Sequence, residues 1–303
     1  MKLLALLVTI VLSSHFAQAY TVMQRIHPTH TAPTPPPPPP SDAHLLYFGG
    51  PVIANVKVYS INWGSKIDPT VKAGMGGFYR TITASSYMDW LSEYNTNITS
   101  VDGQKGTAQT IGRGTLAGEY TINPANTKLA ITDAEITAEL ESQINAGHLP
   151  ASDGNSYYAI NFPAGISIDL GGATSCVEFC AYHGAYTNKK GGNTMYGVLP
   201  DLSQDGCNDG CGPKENTVFQ NTTSTASHEL VESITDPVIN SNSSYGAPLA
   251  WYDEANGEIG DICVQHEGVI KDAKGTAYTV QGQWSNAQKN CVIGKGQPVP
   301  TEQ

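Results

Sequence analysis

Positive charge is scarce in this chain. Lys and Arg total 16 against 27 Asp and Glu in 303 residues, a formal charge of −11. Nucleic acids and anionic membrane surfaces are bound by clustered basic residues, so neither is expected as a partner. Long apolar runs are also absent after the first residues, and nothing approaches the roughly 20 apolar residues that a membrane helix needs. No Gly-x-Ser-x-Gly elbow, P-loop or dinucleotide fingerprint occurs, which argues against a serine hydrolase or a nucleotide-dependent enzyme.

The chain opens with Lys2, an apolar run over residues 3–12 and the small-x-small sequence Ala17-Gln18-Ala19, the pattern of an export signal cleaved before Tyr20. A secreted protein is therefore expected, extracellular or held in a periplasm or cell wall. Residues 20–43 follow and contain Pro35 to Pro40 without interruption. Such a run forms an extended polyproline rod, so this stretch reads as a linker or a propeptide. Residues 44–303 are long enough for one sizeable secreted domain, expected to be monomeric.

Six cysteines in an exported chain imply disulfides. Cys263 and Cys291 lie near the C-terminus and are expected to pair, bracing that part of the domain. Cys176, Cys180, Cys207 and Cys211 form two close pairs whose bonding partners the spacing leaves open. A four-cysteine zinc site is the weaker reading, because zinc knuckles usually place two residues between ligands and both pairs here have three.

Along the chain, Val52 to Trp63 reads as a strand that alternates from Val56 onward. Residues 69–81 and 85–94 read as helices, the second capped by Ser85. Thr132-Asp133-Ala134-Glu135 is a capping box whose helix carries Ile136, Leu140 and Ile144 on one stripe and stops at Gly147. Tyr157 to Phe162 and Met195 to Leu199 read as further strands, each followed by proline. This order predicts an α/β (α+β) fold with a mixed sheet. Met195 to Leu199 is expected at the sheet edge beside a cleft.

Ser227-His228-Glu229-Leu230-Val231-Glu232 then predicts a helix starting near Thr222 or Ser224 and ending by Asp236, because Pro237 disfavours helical geometry before it. With about 3.6 residues per turn, His228 and Glu232 project from one face and Glu229 stands beside them. This is the geometry of the zinc-peptidase helix His-Glu-x-x-His with a carboxylate in place of the second histidine, and the element order matches the upper part of zincins. His228 and Glu232 are the expected metal ligands and Glu229 the general base. Hydrolytic zinc takes about three protein ligands, so a third is needed. Glu258 or Asp261, in Gly257-Glu258-Ile259-Gly260-Asp261-Ile262-Cys263, is the best placed. His183 is an additional candidate. Asp236, at i+8, lies about 12 Å up the axis and fits better as a brace. Zinc is the expected ion; an oxygen-rich site also suits calcium or manganese. His266 and Glu267 read as surface loop residues. Trp251-Tyr252-Asp253-Glu254 is either part of the site or a structural or calcium-binding loop, and Tyr157, Tyr158, Tyr182 and Tyr186 are either core residues or the rim of a groove.

Several of these segments together resemble the plant EXORDIUM, or phosphate-induced protein, family. They are Tyr47-Phe48-Gly49-Gly50-Pro51-Val52-Ile53-Ala54-Asn55-Val56-Lys57-Val58, Cys180-Ala181-Tyr182-His183-Gly184, Ala226 to Glu232 with Thr235-Asp236-Pro237, and Gly257 to Cys263. The resemblance implies an extracellular or cell-wall protein and carries no assigned chemistry; the signal and Pro-rich stretch point to a microbial relative. Two functions are expected. The first is a secreted metal-dependent hydrolase acting on peptide or protein. The second is a non-catalytic cell-wall protein holding a structural ion and binding polysaccharide.

Overall fold

The computed structural model describes residues 36–204, 206–239 and 248–299, with the backbone of the strand Tyr20–Gln24. Residues 1–19, the expected signal, and residues 25–35 of the 20–43 stretch lie outside the described residues. Six strands, β1 (Tyr20–Gln24), β2 (Lys57–Trp63), β3 (Thr115–Ile122), β4 (Ser156–Asn161), β5 (Phe179–Thr187) and β6 (Asn193–Leu199), form the main sheet in the order β1-β5-β6-β4-β2-β3. The pairs β3/β2, β2/β4 and β4/β6 are parallel, whereas β6/β5 and β5/β1 are antiparallel. The fold is thus α/β with a mixed sheet.

Side chains alternate between the two faces of each strand, and the sequence fills both faces with apolar groups. Val58, Tyr157, Ala159 and Met195 enter one core, while Tyr59, Ile61, Tyr158, Ile160 and Tyr196 enter another. Helix α1 (Pro69–Ala84) and helix α3 (Val218–Thr235) cover the first face; α2 (Asp133–Asn145) covers the second. Asp68 caps α1 through Thr70 and Val71, with Pro69 at the first helical position. The Thr132–Glu135 capping box opens α2, and Gly147 beyond its end adopts φ +75°. Residues 85–94 form two short helical turns capped by Ser85.

Two expectations change. Met195 to Leu199 is not an edge: β6 is paired on both sides, because the turn after Thr187 folds β5 back antiparallel along it. β5 in turn carries β1, which places Thr21 opposite His183. Helix α3 begins at Val218, earlier than expected, because Thr217 and Gln220 form a capping box there.

The three disulfides are Cys176–Cys207, Cys180–Cys211 and Cys263–Cys291. The first two tie the start of β5 to the segment ahead of α3, and the third joins the Gly257 to Cys263 loop to the strand Asn290–Gly294. No helix among the described residues is long and apolar enough to cross a membrane.

Candidate metal centre

Helix α3 carries the motif and is buried around its whole circumference from Asn221 to Thr235. Thr222, Thr223, Ser227 and Thr235 tolerate this because their hydroxyls bond back to their own helix, whereas those of Thr225 and Ser233 do not. Thr222 Oγ1 donates to Val218 O at 2.8 Å, Ser227 Oγ to Ser224 O at 2.6 Å and Thr235 Oγ1 to Val231 O at 3.1 Å. Facing α3, β5 offers the small residues Ala181 and Ala185 on either side of His183 along one face of the strand. From the other side comes the hairpin of β7 (Glu267–Lys271) and β8 (Ala277–Gln281), whose Gln281 N donates to Ser227 Oγ at 2.8 Å. His266 and Glu267 belong to this packing and are buried, contrary to their reading as surface loop residues.

His228, Glu229, Glu232, Glu258 and His183 are all at 0 % exposure. The Gly257 to Cys263 loop closes over the helix and fixes Glu232. Gly260 N and Asp261 N both donate to its Oε1, each at 3.1 Å. That leaves Oε2 turned inward, 3.1 Å from His228 Nε2 and 3.6 Å from His183 Nδ1. Glu232 Oε2 and His228 Nε2 are buried and make no hydrogen bond. Asp261 Oδ1 lies 3.8 Å from His228 Nε2, while Asp261 Oδ2 accepts from Glu258 N at 3.0 Å. On the far side of Glu232, His183 Nδ1 is 3.4 Å from Glu229 Oε2, and His183 Nε2 is 3.7 Å from Glu258 Oε1.

Ligand-type atoms therefore converge in two overlapping groups, His228–Glu232–Asp261 and His183–Glu232–Glu258, each with its atoms within 4.8 Å of one another. The first group suits a dication: a neutral imidazole nitrogen and two carboxylates, all close enough to contract onto one ion. Burying carboxylates without a countercharge is costly, and the nearest nitrogens to Glu232 and Asp261 within ion-pair distance are imidazoles. Desolvation pushes the pKa of Glu232 well above the carboxylate range and that of Asp261 up to about 7, with Glu232 beside it adding to the latter. Burial also raises Asp236, and it lowers the His183 imidazole to about 3, which keeps that ring neutral and its lone pair available.

The structure therefore brings together His228, Glu229, Glu232, Glu258, Asp261 and His183. Asp236 stands apart as a brace: its Oδ1 accepts from Ala250 N at 2.8 Å, and its carbonyl lies 3.4 Å from His183 Nε2. The Trp251 to Glu254 stretch is structural. Trp251 packs on Tyr47 and Tyr94, and Asp253 accepts backbone bonds from Ala255, Asn256 and His44. Tyr157, Tyr158 and Tyr182 are core residues at 0 % exposure and form no groove rim.

Two contributors escaped the sequence reading. Gln281 places its side-chain amide nitrogen 3.0 Å from His228 Nδ1 and 2.7 Å from Gly260 O. Because Gly260 O can only accept, the amide nitrogen is the atom between them, and it ties the His228 ring to the Gly257 to Cys263 loop. Gly260 is required by space: a Cβ there would sit 2.6 Å from His228 Nδ1 and 2.8 Å from Glu232 Oε1. The glycine is visible in the sequence, but Gln281 has no motif to mark it. Asp261 also borders a cavity of about 330 Å³ beneath Pro37 to Pro40, whose Pro37 carbonyl is 3.0 Å from His266 Nε2.

No family model matches this chain, and no curated protein or solved structure matches it either.

Proposed function

We propose that this protein is a secreted metal-dependent hydrolase, a zincin-like peptidase centred on α3. The observation that carries this reading is the orientation of Glu232: two backbone N–H groups pin one oxygen, and the other faces His228 inside a buried site. Carboxylates held this way are ready to bind a cation with little reorganisation. His228, Glu232 and Asp261 would hold zinc. The ion, when bound, supplies Lewis-acid polarisation of a scissile carbonyl. Glu229 is next to His228 on the helix and would take the proton of the attacking water, then return it to the leaving amine. The Gly260 and Asp261 amides keep Glu232 in place throughout. Calcium or manganese is the alternative ion for this oxygen-rich set.

A second reading is favoured by the complete burial of His228, Glu232 and Glu258: a structural ion in a non-catalytic extracellular protein. Glu229→Gln separates the two. For a hydrolase, the variant retains its ion while cleavage of an unstructured protein substrate falls by about 10²–10⁴-fold. For a structural centre, wild type and variant are equally inactive, and chelation lowers the melting temperature of both.

A further inference from the structure

We propose that the site binds two divalent cations, bridged by Glu232, with His183 and Glu258 holding the second. The inference rests on the metal-dependent reading of α3 and extends it to a second site. Glu232 belongs to both ligand groups, whereas each group has its own imidazole and its own further carboxylate. Its Oε2 is the atom placed for bridging: fully buried, without a hydrogen bond, and 3.1 Å from one ring nitrogen and 3.6 Å from the other. Tetrahedral ligands at about 2.0–2.1 Å from zinc stand roughly 3.3 Å apart, so both separations are near those of paired ligands on one ion.

The two histidines reach Glu232 from independent supports. His228 comes from the helix and is braced by Gln281. His183 comes from β5, opposite Gly197 of β6, with Nε2 3.4 Å from the Asp236 carbonyl. That carbonyl and Glu258 Oε1, 3.7 Å away, lie on the Nε2 side, while Nδ1 faces Glu232 and Glu229. One ligand atom from each of His183, Glu232 and Glu258 still falls within 4.8 Å of the others, so Glu258 closes on the ion from beside the ring. The carboxylate count points the same way: Glu229, Glu232 and Glu258 are fully buried, the partly buried Asp261 adjoins them, and two dications offset four carboxylates better than one. Two ions in a hydrolytic site would share the charge developing on attacking and leaving groups.

The test is a cobalt(II) titration of the full mature chain after chelator treatment, followed by visible absorbance and checked by elemental analysis. The expected break is at two equivalents per chain for wild type and at one for His183→Gln and for His228→Gln. An exchange-coupled manganese(II) resonance spectrum of the wild type would support the bridge without recourse to any variant. A single equivalent that survives His183→Gln and disappears in His228→Gln overturns the second site alone. Failure of the wild type to bind any ion overturns the hydrolase reading with it.

Discussion

Two helices cross opposite faces of the same sheet, and both bury acids, but they do so in different ways. Helices α2 and α3 both begin with a threonine capping box. In α2 the buried acids are saturated. Asp133 Oδ1 accepts from Tyr182 Oη at 2.8 Å and Tyr196 Oη at 2.6 Å, and Glu139 accepts from Gln143 Nε2 at 2.7 Å and Ala125 N at 3.1 Å. In α3, Glu232 has one oxygen satisfied and one bare, and Asp236, just beyond the helix end, likewise leaves Oδ2 bare. Burial of a carboxylate is therefore not a mark of function here. What distinguishes α3 is incomplete satisfaction next to two converging imidazoles, which costs stability unless a cation completes the set.

The contrast can be broken most decisively at Glu232. Glu232→Gln should abolish ion binding while changing the stability of the ion-free protein little, since it removes a buried charge whose second oxygen has no hydrogen bond. The matching change in α2, Asp133→Asn, should do the opposite. It should leave ion stoichiometry intact and cost about 1–3 kcal/mol, because it disturbs a satisfied buried network. Chemical denaturation and elemental analysis of the two variants side by side check both halves.

A smaller effect is expected from the histidine brace. Gln281→Leu should weaken ion affinity by about 10–100-fold and leave the fold intact, as measured by competition with a chromophoric chelator. The pH dependence sharpens the comparison further. Asp261 has a folded pKa raised to about 7 by burial and by Glu232, so the native state holds a proton that the unfolded chain has released. Its contribution is fully present below the unfolded pKa, near 4, and is lost as pH rises through about 7. Melting temperature of the ion-free protein should accordingly fall between pH 5 and pH 8. Excess zinc should reverse that trend, because ion binding displaces the same protons and tightens as pH rises.

Much of this was legible locally. The spacing of His228, Glu229 and Glu232, the stop at Pro237 and the Thr132 capping box follow from short-range rules: helical period, proline sterics and cap chemistry. Cys263 and Cys291 pair as the two cysteines outside the two close pairs. The α/β class and its mixed sheet were legible in the order of strands and helices. The start of α3 was written in Thr217 and Gln220 and was overlooked because hydroxyl-rich residues 221–227 do not look like a buried helix.

Other features depend on distant contacts, for which a linear pattern holds no distance. Which strand lies at the edge depended on the β5–β6 hairpin. Which cysteines join depended on how residues 207–211 fold back on the start of β5. The sequence by itself determined the ligand types and their place on one helix, because α-helical geometry is set within a few residues. Only the tertiary structure decided that Asp261 joins His228, that His183 and Glu258 gather on the other side of Glu232, and that Gln281 stands behind the ring. Those groups come from a strand, a loop and a hairpin far apart in sequence, and packing against α3 is what brings them together.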